Sequence, residues 1–282
     1  MAAILVTGAS GFVGSRLIRR LSEQHKVIAL ARRAPSGDAL PGISEVQGDF
    51  TSVDDLARLD GYPIDAVVHL AAVTGGTTEE AGLAVNVVGT RRLLRYLVDR
   101  GVRRFVVASS IAATGCLSPE FVPRQLPIPA DHPCDARDAY GLSKAMMEEV
   151  CAYLQRLDPD LAMTVLRLGV VVPEGTPSVS AEALGRIDVP FCSLATIAVQ
   201  DVLGILEKAV EFGPGFRRWN AVAAWMPSPL PVRDALAATL GARSNQLDLS
   251  GYADAGPTSL YDITEVLRTT GYPRIDPGRP RS

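Results

Sequence analysis

Short apolar runs bounded by glycine, proline and charge alternate along the first part of the chain with stretches whose apolar positions recur every three or four residues. That is the pattern of strands alternating with helices. Residues 4–7 form the first apolar run and lead into an amphipathic helical stretch over 15–21. Lys26–Ala31 is a second strand ending at Arg32 and Arg33, and residues 44–49 a third that closes on an acidic turn. Residues 52–59 predict a helix with Ser52 as N-cap, followed by Asp54 and Asp55 where its dipole favours acid. Residues 66–72 are almost continuously apolar, as expected of a strand buried on both faces. A long helix over 83–99, a strand over Arg104–Ser110, a helix over Ala139–Leu157 and a strand over 164–171 continue the alternation. Five prolines between 117 and 138 make that stretch a loop.

Beyond Pro173 the elements shorten: a helix over 202–212, a strand over 219–222 and a helix over Val232–Leu240. The stretch after Gly271 is rich in proline and arginine and reads as peripheral. Asp201 reads as an N-cap, and Trp219 and Trp225 as packing residues. The alternation predicts an α/β chain with a doubly wound parallel sheet of six or seven strands. Residues 1–172, with 196–222 returning, form the main domain, and 173–195 with 223–282 a small lobe over the substrate.

Composition narrows the function. The chain has 282 residues, 47% hydrophobic and 21% charged, enough apolar content for a substantial core. A net charge of -3 without runs of like charge argues against a nucleic-acid partner, and no apolar run approaches a membrane span. Cys116, Cys134, Cys151 and Cys192 are widely separated and read as free thiols, and the scattered histidines predict no metal site. No leader-like segment precedes the first strand, so a cytoplasmic location is expected.

The first strand runs directly into Gly8, Gly11 and Gly14. Gly8 permits a tight turn, Gly11 lets a pyrophosphate approach the backbone, and Gly14 brings the next helix close to the sheet. The N–H groups of that helix's first turn then face the phosphates, so the segment predicts a dinucleotide site on a Rossmann-like fold. Lysine occurs only at 26, 144 and 208, which draws attention to Tyr140 and Lys144, four apart on one helical face. An ammonium beside a phenol is expected to lower its pKa and make it a usable proton donor or acceptor. Ser110 ends a strand, where its hydroxyl can hold a carbonyl oxygen; Ser109 competes for that role but should point to the other face.

With these residues in order, the chain resembles the extended short-chain dehydrogenase/reductase superfamily, in its branch of NAD(P)-dependent sugar-nucleotide epimerases, dehydratases and ketoreductases. The resemblance rests on Gly8, Gly11 and Gly14, on Gly48-Asp49-Phe50, on His69-Leu70-Ala71-Ala72, on Asn86 to Thr90, and on Tyr140 with Lys144. It implies Ser110, Tyr140 and Lys144 as the catalytic set, with Lys144 also on the nicotinamide ribose. It implies cofactor contacts from Gly8, Ser10, Gly11, Phe12, Val13 and Gly14, from Asp49 and Phe50, and from Leu70, Ala71 and Ala72. Asn86, Ala108, Ser109, Tyr140, Lys144 and Val170 complete the implied contacts. Arg32 and Arg33 stand where many NAD-using relatives carry an acid; they either pair with a 2′-phosphate, which predicts NADP(H), or are solvated. Thr114 stands where relatives usually have an aromatic residue before Gly115, and the loop from Val172 to Gly175 lacks the polar continuation that grips a nucleotide.

The expected activity is NADPH-dependent reduction of a ketone, with a nucleoside-diphosphate 4-keto-sugar as the small-molecule substrate the resemblance suggests. An epimerase with retained NAD(P), a reductase of a non-sugar ketone and a catalytically silent NADP-binding sensor are the alternatives. By the same resemblance, a homodimer is expected through the helices over 83–99 and Ala139–Leu157.

Overall fold

A computed structural model describes residues 1–33, 41–250, 252 and 259–274. The chain begins with β1 (Ala3–Thr7) and α1 (Gly14–Ser22), then β2 (Lys26–Ala31) and β3 (Ile43–Gln47). α2 (Val53–Leu56) precedes β4 (Ala66–His69), α3 (Glu79–Gly82) and α4 (Thr90–Val98), and β5 (Arg104–Ser110) leads across the proline-rich loop to α5 (Ala139–Leu157). The rest comprises β6 (Ala162–Leu168), β7 (Val170–Val172), α6 (Ala181–Leu184), α7 (Pro190–Ser193), β8 (Thr196–Ala198), α8 (Val199–Ala209), β9 (Gly215–Ala221), α9 (Val232–Leu240) and α10 (Thr264–Thr270).

Seven strands form one sheet in the order β3-β2-β1-β4-β5-β6-β9, every neighbouring pair parallel. This is the Rossmann-like, doubly wound arrangement expected. The order reverses between β1 and β4, and the crevice beyond their carboxyl ends is where such sheets bind ligands. One face of the sheet packs Leu17, Ile18 and Leu21 of α1 with α8 and the C-terminal elements. The other face packs Leu93, Leu94 and Leu97 of α4 with Met147, Cys151 and Leu154 of α5. Each such buried side chain contributes roughly 1.5–3 kcal/mol of transfer free energy, so the layers rest on burial rather than helix propensity.

Several boundaries differ from the pattern. The strand expected over 66–72 stops at His69, because the Asn86 amide takes both the N–H and the carbonyl of Val73 at 2.9 Å and pulls that segment off the sheet. The strand expected over 164–171 divides at Gly169, whose added Cβ would lie 2.4 Å from the Ala195 carbonyl oxygen. There the chain leaves β9 and pairs with β8. The helix expected over 83–99 begins at Glu79, capped by the Thr78 hydroxyl, and widens into a π-helical stretch over Leu83–Gly89. Asp201 is not a cap: Ala198 holds that position, and Asp201 lies in the first turn of α8.

The C-terminal segments share the core of the main sheet. Leu184, Phe191, Leu194, Leu236 and Tyr261 belong to the same apolar cluster as Ile4 and Val6. β9 joins the main sheet, β7 and β8 form a separate two-stranded sheet, and α9 packs on α6 and α7. Trp219 packs edge-on against Phe212, 5.5 Å between ring centroids, and Asp262 Oδ1 accepts the Thr264 N–H at the start of α10.

Candidate active site

The glycine turn is shaped by close backbone approach. Gly8 has φ +70°, and a Cβ there would fall 2.8 Å from the Ala71 backbone nitrogen. A Cβ on Gly14 would meet the Gly8 carbonyl oxygen at 2.2 Å, so only glycine lets α1 start this near the sheet. No side chain caps α1, and Ser10, Gly11 and Phe12 are exposed, leaving an open N-terminal turn. Val13 is half-buried at the cap position. This cradle fits the pyrophosphate of a dinucleotide.

Behind the turn, His69 bridges two threonines: Nδ1 lies 2.7 Å from Thr7 Oγ1 and Nε2 2.8 Å from Thr90 Oγ1. Complete burial pushes its pKa down to about 3, and its ring meets Phe50 edge-on at 4.9 Å. Phe50 is thus core, which leaves its backbone for any cofactor contact. Leu70, Ala71 and Ala72 are half-buried beside the turn, with the Ala71 N–H donating to Thr7 Oγ1 at 3.3 Å.

At the end of β2, Arg32 borders a hollow of about 330 Å³ with Gln47, Gly48, Asp49, Asp55 and Arg58. Asp49 Oδ1 is held by the Thr51 N–H and hydroxyl, and Asp55 pairs with Arg58 at 3.0 Å. Among the described residues no carboxylate pairs with Arg32. Arg33 is exposed and does not line the hollow. A larger cavity of about 540 Å³ lies between β9 and α10, bounded by Asn220, Asp262 and Thr269, and touches none of Ser110, Tyr140 or Lys144.

Ser110, Tyr140 and Lys144 converge at the carboxyl edge of β5. Asp138 caps α5 through the Gly141 N–H at 2.7 Å, and a Cβ on Gly141 would lie 2.5 Å from the Ala112 carbonyl oxygen. The missing side chain therefore sets the start of α5 against the turn after Ser110. The Ser110 hydroxyl accepts the Ala112 N–H at 3.1 Å and lies near enough to Tyr140 to pull its pKa down. Lys144 is buried, and its ammonium donates to the Ala108 carbonyl at 2.7 Å, 5.9 Å from the Tyr140 ring centroid. Burial pushes the Lys144 pKa down to about 8, with Glu148 opposing that shift.

The expected lowering of the Tyr140 pKa by Lys144 does not hold in this pocket. Burial raises it, and the group that pulls it down is Ser110. The reason is geometric: the ammonium is turned beneath the strand onto Ala108 instead of reaching the phenol oxygen. A phenol kept neutral by burial is able to give a proton.

Ser109 points to the opposite face, as strand alternation requires, and its hydroxyl donates to Glu148 Oε1 at 2.5 Å. Glu148 also receives Arg167 Nε and Nη2, each at 2.9 Å, forming a buried pair beneath the site. The sequence reading missed this support, although Glu148 lies one helical turn beyond Lys144. Asn86 donates to Val73 O and Ser143 Oγ and accepts from Val73 N, so its side chain braces the loop and α5 instead of reaching the crevice. Ala108 is buried with its carbonyl on Lys144, while Val170 is exposed in β7. Cys116 and Cys192, far apart in the chain, each influence the other's ionisation, which raises the Cys116 pKa and lowers that of Cys192.

Among the described residues no helix is long and apolar enough to cross a membrane, and no group of three His, Cys, Asp or Glu side chains could hold a metal.

Known proteins resemble this chain in sequence and in fold. The chain is 27% identical over 226 residues to a UDP-glucose 4-epimerase of Halalkalibacterium halodurans, covering 76% of this chain and 63% of that one. It is 37% identical over 116 residues to a 3-beta-hydroxysteroid dehydrogenase of Mycolicibacterium neoaurum, covering 38% of this chain and 31% of that one. The matches thus span less than two thirds of these relatives' length. The fold matches the structure of UDP-glucose 4-epimerase from Bifidobacterium longum in complex with NAD+ and UDP, with TM-score 0.69 and 19% identity over 96% of this chain and 92% of that one. The sequence profile of the NAD dependent epimerase/dehydratase family matches residues 4–186, a span that holds both the glycine turn and the Tyr140 helix, and the chain belongs to that family.

Proposed function

We propose that the protein is a nicotinamide-dinucleotide oxidoreductase that reduces a ketone, with NADPH as the preferred cofactor and a nucleoside-diphosphate 4-keto-sugar as the substrate class. The observation that carries the chemistry is the convergence of Ser110, Tyr140 and Lys144 at the carboxyl edge, with the Lys144 ammonium on the Ala108 carbonyl and the phenol kept protonated by burial. The glycine cradle and the half-buried Leu70–Ala72 segment would hold the dinucleotide, which when bound supplies the reducing equivalent. Ser110 and Tyr140 hydrogen-bond the substrate oxygen, Tyr140 gives it the proton, and Lys144 fixes the end of β5 through Ala108. NADPH preference rests on Arg32, which borders the hollow at the end of β2 without a carboxylate partner among the described residues.

The substrate class rests on the relatives' names and on family membership alone. The same relatives favour a second reading, an epimerase that oxidises and re-reduces a nucleotide sugar without net cofactor consumption. The deciding experiment releases and identifies any nucleotide carried by the purified protein, then follows NADPH and NADH oxidation with a UDP-4-keto-sugar. Empty protein that oxidises NADPH supports the reductase. Retained NAD with interconversion of UDP-glucose and UDP-galactose establishes the epimerase instead.

The assembly we propose is a homodimer through α4, α5 and the π-helical stretch. Met146, Tyr153 and Leu157 lie exposed along α5 at spacings of about two and one turns, with exposed Val88 on the neighbouring helix. Light scattering tests this: Met146→Glu combined with Tyr153→Glu should yield monomer, and a monomeric wild type would refute the assembly.

A further inference from the structure

Three polar side chains stand in one register row near the carboxyl ends of the sheet: Ser109 on β5 is paired with Arg167 on β6, and Arg167 with Asn220 on β9. All three are buried, where a polar group is costly unless it is hydrogen-bonded. Each reaches an element outside the sheet. The Ser109 hydroxyl donates to Glu148 of α5 at 2.5 Å. Arg167 directs Nε and Nη2 to Glu148, each at 2.9 Å, and Nη1 to the His132 carbonyl of the proline-rich loop at 3.2 Å. Asn220 Nδ2 donates to the Ile128 carbonyl in the same loop at 3.0 Å, and to the Asp262 carbonyl at 3.2 Å.

The loop held in this way leads directly to the reacting phenol. Its Asp135 N–H donates to the Thr114 carbonyl at 3.2 Å, in the turn after Ser110, and Asp138 at its end caps α5 just before Tyr140. Ser109 adjoins Ser110 on β5. One row therefore grips both the strand end that carries Ser110 and the loop that enters Tyr140. We propose that this row, centred on Arg167, is a positioning device for the reaction, setting Tyr140 against Ser110. The inference rests on the functional reading of that pair. A buried ion pair is weak as a source of stability, because desolvation offsets its attraction. A planar guanidinium whose donors are divided between two segments fixes their geometry instead. Arg218 adds its Nε 3.2 Å from Glu148 Oε2, so the same carboxylate is held from β5, β6 and β9.

Variants of the full-length protein separate this role from mere packing. Arg167→Lys keeps the charge and loses the fork. Turnover in whichever reaction the wild type catalyses, ketone reduction or epimerisation, should fall roughly 10- to 100-fold, with KM and cofactor affinity within about twofold. Hydrogen exchange over residues 121–135 should quicken in the same variant, while that of β1 and β4 stays as in the wild type. Glu148→Leu with Arg167→Met refills the space without the ion pair. Its melting temperature should recover towards the wild-type value relative to Glu148→Gln, while its turnover stays low; recovery of both together would show that the row only packs. If Arg167→Lys does not fold, Ser109→Ala decides: it removes one hydroxyl of the row and should lower kcat about fivefold, as loss of one hydrogen bond would. Wild-type kcat in the deciding variant, or a loss confined to KM, would overturn the proposal. A wild type that turns over neither substrate would defeat the functional reading, and exchange over 121–135 would then decide whether the row fixes the loop.

Discussion

The Lys144 ammonium donates to the Ala108 carbonyl at 2.7 Å, two residues before Ser110 on the same strand. A buried cation thus holds the strand end on which the substrate oxygen would rest. Lys144→Met keeps most of the side-chain volume and removes the charge. Turnover should fall by roughly 100-fold or more, while the circular dichroism spectrum stays that of the wild type. Because burial lowers this lysine to about 8, wild-type turnover should also decline as pH rises through that value and the proton is lost. A Lys144→Met enzyme of near-normal rate would remove the lysine from the site.

In the proposed reaction Ser110 and Tyr140 face the substrate oxygen. Tyr140→Phe should lower kcat by about 100-fold or more and leave NADPH affinity within about twofold. Ser110→Ala should cost roughly 100-fold, one lost donor to the oxygen. Fluorescence titration of the cofactor separates these effects from a disturbed fold, and weakened NADPH binding in Tyr140→Phe would contradict the assignment.

Arg32 borders the hollow at the end of β2, and Arg33 does not. Arg32→Ala should weaken NADPH binding about tenfold or more, as expected for loss of a charge-assisted bond to a 2′-phosphate, and leave NADH nearly unchanged. Arg33→Ala should change neither by more than about twofold. Equal losses for both cofactors in Arg32→Ala would show that this guanidinium does not read the phosphate.

His69 is held neutral, with its pKa lowered to about 3 by burial against an unfolded value of 6.5. Below pH 6.5 the unfolded chain binds a proton that the folded chain refuses, so stability is lost progressively as pH falls towards 3. The contribution amounts to about 3 kcal/mol by pH 4. Urea denaturation across this range should show that slope, and His69→Asn should flatten it whatever its own stability. An unchanged slope would mean that another group governs acid unfolding.

Glu148 and Arg167 are buried together beneath the site, with the Ser109 hydroxyl on the same carboxylate. Glu148→Gln leaves the guanidinium without its countercharge and should cost about 3–5 kcal/mol in a denaturant titration. Glu148→Leu with Arg167→Met removes the buried pair and leaves Arg218, 3.2 Å from Glu148 Oε2 and also paired with Glu149, as the remaining charge; it should cost clearly less than the single change. Equal loss in both variants would show that packing, not charge pairing, is what the site provides.

Much of this fold follows from one-dimensional pattern. Lys26–Ala31, Arg104–Ser110, Ala139–Leu157 and Val232–Leu240 have the bounds their pattern predicts, because the two strands are apolar runs, the two helices have an apolar face, and each ends at a polar or glycine boundary. Ser52 caps its helix as read, since an N-cap depends only on residues within a turn of it. The boundaries that moved depend on distant partners. Residues 70–72 are as apolar as the strand before them, yet Asn86 captures Val73; residues 170–171 continue an apolar run, yet β8 takes them from the main sheet.

The sequence by itself determined the glycine turn, the alternation that builds the sheet and the placement of Tyr140 and Lys144 on one helical face. Each of these follows from backbone sterics or a short repeat, which neighbouring residues fix. Tertiary structure alone decided where the Lys144 charge is directed and that Glu148 and Arg167 are buried together beneath the site. Those outcomes depend on burial and on contacts between segments far apart in the chain, where desolvation outweighs a nearby charge and packing brings side chains together without any local signal.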